Sequence, residues 1–119
     1  MYFIMPRLGV NLDELFKGRG KQFTTNSIFS LGIQLLNILE KVHSAGFVFN
    51  DLKLDNLMLD FDSNANKFLE SNDDIFEDNN VNIIDFGYAT SYLRSDGKRH
   101  IKKQDLDAFR GNIMFSSMN

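Results

Sequence analysis

From residue 24 to residue 46 the chain carries one long helical period, and any fold it adopts has to be built around that helix. Ile28, Leu31, Leu35, Leu39 and Val42 recur at three- and four-residue steps, with Leu36 and Ile38 broadening the stripe. That spacing places them on one face of an amphipathic helix. Thr24, Thr25 or Asn26 can cap its start by accepting an orphan backbone N–H, and Gly46 can supply the left-handed residue that ends it. His43, in the last turn, reads as a helix-end residue. Every other apolar segment is short, so the pattern predicts an α+β fold with one dominant helix.

Residues 2–5 form an apolar strand candidate that Pro6 ends, and Leu8-Gly9 then offers a turn. Residues 11–16 suit a short helix capped by Asn11. The stretch 17–21, with Gly18 and Gly20 among basic residues, reads as a solvated connector because it lacks the strand-to-helix setting of a phosphate-binding loop. Short strands are expected at 47–49, 57–59 and 81–84. Residues 60–80 hold seven Asp or Glu and one Lys without a clear period. They read as an acidic, poorly ordered insertion in which Phe61, Phe68, Leu69, Ile75 and Phe76 would support a partly docked helix. After Gly87 the composition turns basic, through Arg94, Lys98, Arg99, Lys102, Lys103 and Arg110, and reads as a long surface loop.

Composition narrows the function classes. With 119 residues the chain falls within one domain, and with no cysteine it can build neither a disulfide framework nor a thiolate metal site. A formal charge of −3 gives no footprint for nucleic acid or an anionic membrane. No apolar run approaches the roughly 20 residues that span a bilayer, and the first seven residues lack the form of a signal peptide. An intracellular place, cytoplasmic or nuclear, is the expectation. Twelve phenylalanines against no tryptophan predict heavy aromatic burial.

Two triplets carry the chemistry: Asp51-x-Lys53-x-x-Asn56, after the long helix and a short strand, and Asp85-Phe86-Gly87, after the apolar run 81–84. Three fixed residues at ~5% usage each arise at roughly 10⁻⁴ per position, so both triplets share one short chain by chance about once in 10⁴. Phosphoryl transfer asks a protein for a carboxylate to take the nucleophile's proton, oxygen ligands for Mg²⁺ and a cation to offset developing charge. Asp51 supplies the base, Lys53 the cation, Asn56 a neutral oxygen and Asp85 a carboxylate for the metal.

These residues, in this order, resemble the protein kinase family over essentially the whole chain. Met5-Pro6-Arg7-Leu8-Gly9 with Leu12-Asp13-Glu14-Leu15-Phe16, and the closing Gly111 to Asn119, resemble the casein kinase I and vaccinia-related kinase group. That group typically ends its activation segment with a Ser-Ile-Asn type sequence where most kinases have Ala-Pro-Glu, and Ser117-Met118-Asn119 matches it. The resemblance implies a partial kinase fold, mainly the helical C-lobe portion with short β-hairpins around the catalytic loop, lacking the N-lobe and the later C-lobe helices. It divides the chain into a hinge strand and hinge (1–10), two helices (11–46), the catalytic loop (47–59), the acidic insertion (60–80), and the metal-binding motif with the activation segment (81–119).

The resemblance further implies a serine/threonine kinase using ATP and Mg²⁺, with protein Ser/Thr hydroxyls as acceptors. Asp51 and Lys53 would be catalytic, and Asn56 and Asp85 would hold the metal. Met5 would be the gatekeeper, the Pro6 carbonyl and Leu8 backbone would hold the adenine edge, Met58 would floor the pocket, and Ile84 would sit just before the metal Asp. Asn11, Asp13 or Glu14 would approach the ribose. Where the family usually has His-Arg before the catalytic Asp, this chain has Phe49-Asn50. A phosphorylated residue would lack its bidentate partner there, so activity is expected not to depend on phosphorylation of the activation segment, whose candidates are Ser91, Ser95, Ser116 and Ser117. Without the glycine-rich loop and the strand lysine, the 119 residues alone are expected to transfer little or no phosphate. The alternative from another class is a catalytically inactive kinase-like binding or regulatory module; oligomeric state stays open.

Overall fold

Asn11 links the first two elements of the computed structural model, which describes residues 2, 4–61, 74–94, 96–97, 99–102 and 111–116. It closes strand β1 (Leu8–Asn11) and caps helix α1 (Leu12–Gly18), its Oδ1 accepting the Glu14 N–H at 2.8 Å. Asp13 and Glu14 in the first turn and Lys17 in the last complement the helix dipole. Helix α2 (Thr25–Ser44) matches the predicted long helix, with the Thr24 hydroxyl oxygen accepting the Ser27 N–H at 3.2 Å. Gly46 then takes φ +88°, the left-handed conformation expected of it.

Three short strands form one antiparallel sheet in the order β1-β3-β4, with β3 at Leu57–Asp60 and β4 at Val81–Ile83. Leu57 faces Ile83 and Leu59 faces Val81 across the β3–β4 pair. The pleat sends Leu57 and Leu59 to one side, where Leu12 and Leu15 of α1, Ile75 and Phe76 complete the core. Phe23 joins it, its ring tilted against Phe16 at 5.2 Å and edge-on at 5.7 Å to Phe76. A second ribbon pairs β2 (Phe47–Val48) with β5 (Thr90–Ser91). It is tied back to the end of α2 where Tyr92 donates its N–H to the Gly46 carbonyl at 3.1 Å and its hydroxyl to the His43 carbonyl at 2.7 Å. Among the described residues no helix is long and apolar enough to cross a membrane.

The structure departs from the sequence reading at four places. The strand expected at residues 2–5 is absent from the described residues there, and β1 begins instead at Leu8, where a turn was expected. Tyr2 and Ile4 are 90% and 87% exposed, whereas β1 finds a partner in β3; strand pairing, not local apolarity, decides the matter. In α2, Leu31 and Leu35 do pack on the core, but Ile28 and Leu36 of the predicted stripe face outward. Ser27 takes the buried place, its hydroxyl accepting from Thr24 at 2.9 Å.

Phenylalanine burial is also partial: Phe49 and Phe76 are buried, while Phe29, Phe47, Phe61 and Phe86 are exposed. Of the acidic stretch 60–80, residues 62–73, including Phe68 and Leu69, lie outside the described residues. The rest is docked without forming a helix, Ile75 and Phe76 being fully buried. Gln34 of α2 holds this return. Its amide nitrogen donates to the Phe76 and Asn79 carbonyls at 2.8 and 2.9 Å, and its amide oxygen accepts the Val81 N–H at 2.8 Å.

Asp60, at the end of β3, receives the Asn80 and Asn82 amides on separate carboxylate oxygens, each at 2.8 Å. These bonds hold its pKa below the ordinary 3.8, against a small opposing effect of burial. A depressed folded-state pKa contributes stability above the unfolded value and loses it as pH falls through the folded one. The difference in urea stability between wild type and Asp60→Asn should therefore be present at pH 7 and shrink steadily below about pH 4; a pH-independent difference would contradict this account.

Candidate active site

Asp51, Lys53 and Asn56 occupy the connection from β2 to β3, which closes through a single 3₁₀ turn at Leu54–Asn56. The turn carries Asn56 back over Asp51. The Asn56 amide nitrogen donates to the Asp51 backbone carbonyl at 3.0 Å and to its Oδ2 at 2.8 Å. Lys53 Nζ reaches the same Oδ2 at 2.9 Å. Asp51 and Asn56 are 4% and 5% exposed, and polar groups withdrawn from water this far need such hydrogen-bond partners. With Asn56 Nδ2 and Lys53 both on Oδ2, neither of these contacts uses Oδ1.

Lys53 is the most open member, its side chain 37% exposed. Its pKa lies above the ordinary 10.5, raised first by the hydrogen bond to Asp51, opposed by partial loss of hydration, and raised further by the charges of Asp51, Asp55 and Asp85. The amine therefore stays cationic throughout neutral pH. The contribution from Asp85 means that the two sequence motifs share one electrostatic neighbourhood.

Asp85 arrives there because β4 is pinned to the turn: the Ile84 N–H donates to the Asn56 carbonyl at 3.0 Å. Asp85 itself takes φ +61°, a left-handed conformation that Asp tolerates better than most side chains. The chain then bends into a 3₁₀ turn at Phe86–Tyr88, capped by Asp85 Oδ1 accepting the Gly87 N–H at 3.2 Å. Phe49, buried two residues before Asp51, meets Phe86 edge-on at 5.1 Å. That contact holds the aromatic residue after Asp85 against the residue two before Asp51.

The donor set suits a magnesium ion shared with phosphates. Asn56 offers a neutral amide oxygen whose direction is set by its nitrogen's bonds to Asp51, and Asp85 an exposed carboxylate. Among the described residues no group of three or more His, Cys, Asp or Glu could hold a metal by itself. Mg²⁺ characteristically takes one or two protein oxygens and completes its shell from phosphates and water.

Of the five expected adenine-pocket residues, the sheet draws three into one region. Leu8 lies in β1 and Met58 in the adjoining β3, and Ile84 follows β4 on the far side of β3. Met5 and Pro6 lie in exposed chain ahead of β1. Asn11, a ribose candidate, has its side-chain oxygen engaged as the cap of α1. Sequence reasoning missed the joining role of Asn50 and the part played by Gly111 and Asn112. Asn50 showed only as a departure from a pattern, and Gly111 and Asn112 only as part of the closing stretch that resembles the casein kinase I group. Ser117-Met118-Asn119, Lys98, Lys103, Arg110 and Ser95 lie outside the described residues.

The protein kinase domain family matches residues 1–112 of this chain, and the chain belongs to that family. Within it the likeness is to casein kinase I: casein kinase I homolog 1 and casein kinase I homolog 2 of Saccharomyces cerevisiae are each 24% identical to it over 116 residues. The alignments cover 98% of this chain but 20% and 19% of those proteins, so the chain spans about a fifth of their length.

Removing the Asn56 amide would leave a buried carbonyl and a buried carboxylate oxygen of Asp51 each short of one donor. Asn56→Ala should lower unfolding free energy in urea by about 1–3 kcal/mol. A loss under about 0.5 kcal/mol, the range of ordinary surface substitutions, would mean that Asn56 does not support the Asp51 carboxylate.

Proposed function

We propose that this chain carries the base, the phosphate-facing cation and the metal ligands of a serine/threonine protein kinase of casein kinase I type, which moves the ATP γ-phosphoryl group to a protein hydroxyl. The observation that supports this most is the buried Asp51 carboxylate with one oxygen taken by Asn56 and Lys53. Asp51 Oδ1 would accept the hydrogen bond of the substrate hydroxyl and receive its proton. Lys53, held cationic beside it, would swing from Asp51 toward the transferred group. Mg²⁺, when bound, neutralises charge on the phosphate oxygens. Asn56 and Asp85 would hold it from opposite motifs, kept in register by the bond between Ile84 and Asn56.

On this reading the Pro6 carbonyl and the Leu8 backbone hold the adenine edge, Met58 forms the floor and Ile84 a wall, with Met5 as gatekeeper. Adjacent placement of β1, β3 and β4 supports the roles of Leu8, Met58 and Ile84.

The test is phosphate incorporation by the native gene product, with Mg²⁺ and ATP, into a peptide library carrying Ser, Thr and Tyr acceptors. Transfer should go to Ser and Thr and fall about 10²–10⁴-fold in Asp51→Asn, the range for loss of a general base. Thermal stabilisation by Mg-ATP with no transfer would overturn the proposal in favour of a binding module, and transfer undiminished in Asp51→Asn would remove Asp51 from the base role.

A further inference from the structure

Asn50 stands immediately before Asp51 and has φ +67°, a conformation that non-glycine residues rarely take and asparagine takes most readily. Its amide nitrogen donates to the Tyr88 carbonyl at 2.9 Å and to the Thr90 hydroxyl oxygen at 2.8 Å. Both acceptors lie in the segment that leaves Asp85-Phe86-Gly87. Its own carbonyl accepts the Asn112 N–H at 3.0 Å, and the Asn112 amide returns to the Leu52 carbonyl at 3.3 Å. One residue thus ties two segments, at 88–90 and at 111–112, to the loop that holds Asp51.

The second tie admits only glycine at position 111. Gly111 has φ +116°, and a Cβ there would lie 2.1 Å from the Asn50 carbonyl oxygen, 3.0 Å from its carbonyl carbon and 3.1 Å from its Cβ. The two nearest of these atoms are Asn50 backbone, so no flexible side-chain end is there to move aside. Every group in the junction is neutral and belongs to the unmodified chain: the carbonyls of Tyr88, Asn50 and Leu52, the Asn112 N–H, the Thr90 hydroxyl and the carboxamides of Asn50 and Asn112. An amide with two N–H donors can serve two acceptors at once, so both donors of the side chain at position 50 are used.

From this junction we infer that Asn50 is a positioning residue: an uncharged clamp, completed by Gly111 and Asn112, that fixes both flanks of the Asp51 loop without a phosphate group. The structural part stands on the hydrogen bonds alone. Its consequence for phosphate transfer rests on the function proposed above. There the clamp sets the orientation of Asp51 relative to the acceptor, so it acts on turnover and not on nucleotide affinity. It also means that the segment is held in place before any modification.

The experiment uses the native gene product after phosphatase treatment, with three variants. Asn50→Asp exchanges the donor amide for a carboxylate facing the Tyr88 carbonyl. Asn50→Gly removes the side chain but keeps access to positive φ, which guards against a variant that fails to fold. Gly111→Ala opposes the close approach. Amide hydrogen exchange in residues 86–94 and 111–116 should quicken by about tenfold, the factor for loss of one ordinary hydrogen bond. The position 50 variants should affect 86–94 and Gly111→Ala should affect 111–116, with α2 unchanged as the folding control.

Peptide phosphorylation should lose kcat with KM for ATP unchanged, and wild-type activity should survive the phosphatase. Unchanged exchange in all three variants overturns the clamp, whatever the transfer rates. Faster exchange with undiminished kcat overturns the positioning role, and loss of wild-type activity on phosphatase treatment overturns the claim that the neutral clamp suffices. A wild type that transfers no phosphate, yet shows the expected exchange pattern, would sink the proposed function and uphold the clamp.

Discussion

Asn56 bonds to both halves of the candidate site. Its amide nitrogen is shared between the Asp51 carbonyl and carboxylate, and its own carbonyl receives the Ile84 N–H. The loop that holds Asp51 and β4 are far apart in sequence, and β3–β4 pairing alone would align strands without aiming side chains. The bonds through Asn56 convert that pairing into a fixed relation between a buried carboxylate and the turn that presents Asp85. Two buried polar groups in contact are tolerable only when their donors and acceptors match, and among the described residues no buried side-chain polar atom is left without a partner. The site is thereby coupled to the core. Leu57, next to Asn56, is buried among Leu12, Leu15 and Val81, so the turn that holds the candidate residues leads directly into the packed interior.

Much of the helical structure was legible because its determinants are local. A cap at Asn11 or Thr24 and a left-handed glycine at position 46 are decided by groups within a few residues of one another. The strands at 47, 57 and 81 were legible as short apolar runs for the same reason. Residues 2–5 misled because an apolar run becomes a strand only where another strand receives its backbone, and β3 receives Leu8–Asn11 instead. The helix stripe was read correctly where it meets the sheet, at Leu31 and Leu35, and wrongly at Ile28, where the Thr24 cap brings Ser27 to the interior.

The candidate site residues stood out in the sequence as residue types at fixed spacing, but their mutual geometry did not. Nothing in Asp51-x-Lys53-x-x-Asn56 says that Asn56 and Lys53 converge on one oxygen of Asp51. Nor does a Phe at position 49 announce its edge-on contact with Phe86. Gln34 shows the limit most clearly: a single polar residue in a helix stripe satisfies three backbone groups of a distant return strand. Such long-range polar matches depend on the finished fold and leave no periodic trace.

The Ile84–Asn56 bond brings the Asp51 and Asp85 motifs together, and Lys53, bonded to Asp51 and raised least by Asp85, reports on both. Its side-chain titration, followed by NMR of lysine labelled at the ε carbon, measures that directly. The account expects Lys53 to titrate above the ordinary 10.5, to fall back clearly in Asp51→Asn, which removes the largest cause, and to fall by a smaller step in Asp85→Asn. An ordinary titration in wild type, unmoved by either substitution, would contradict it.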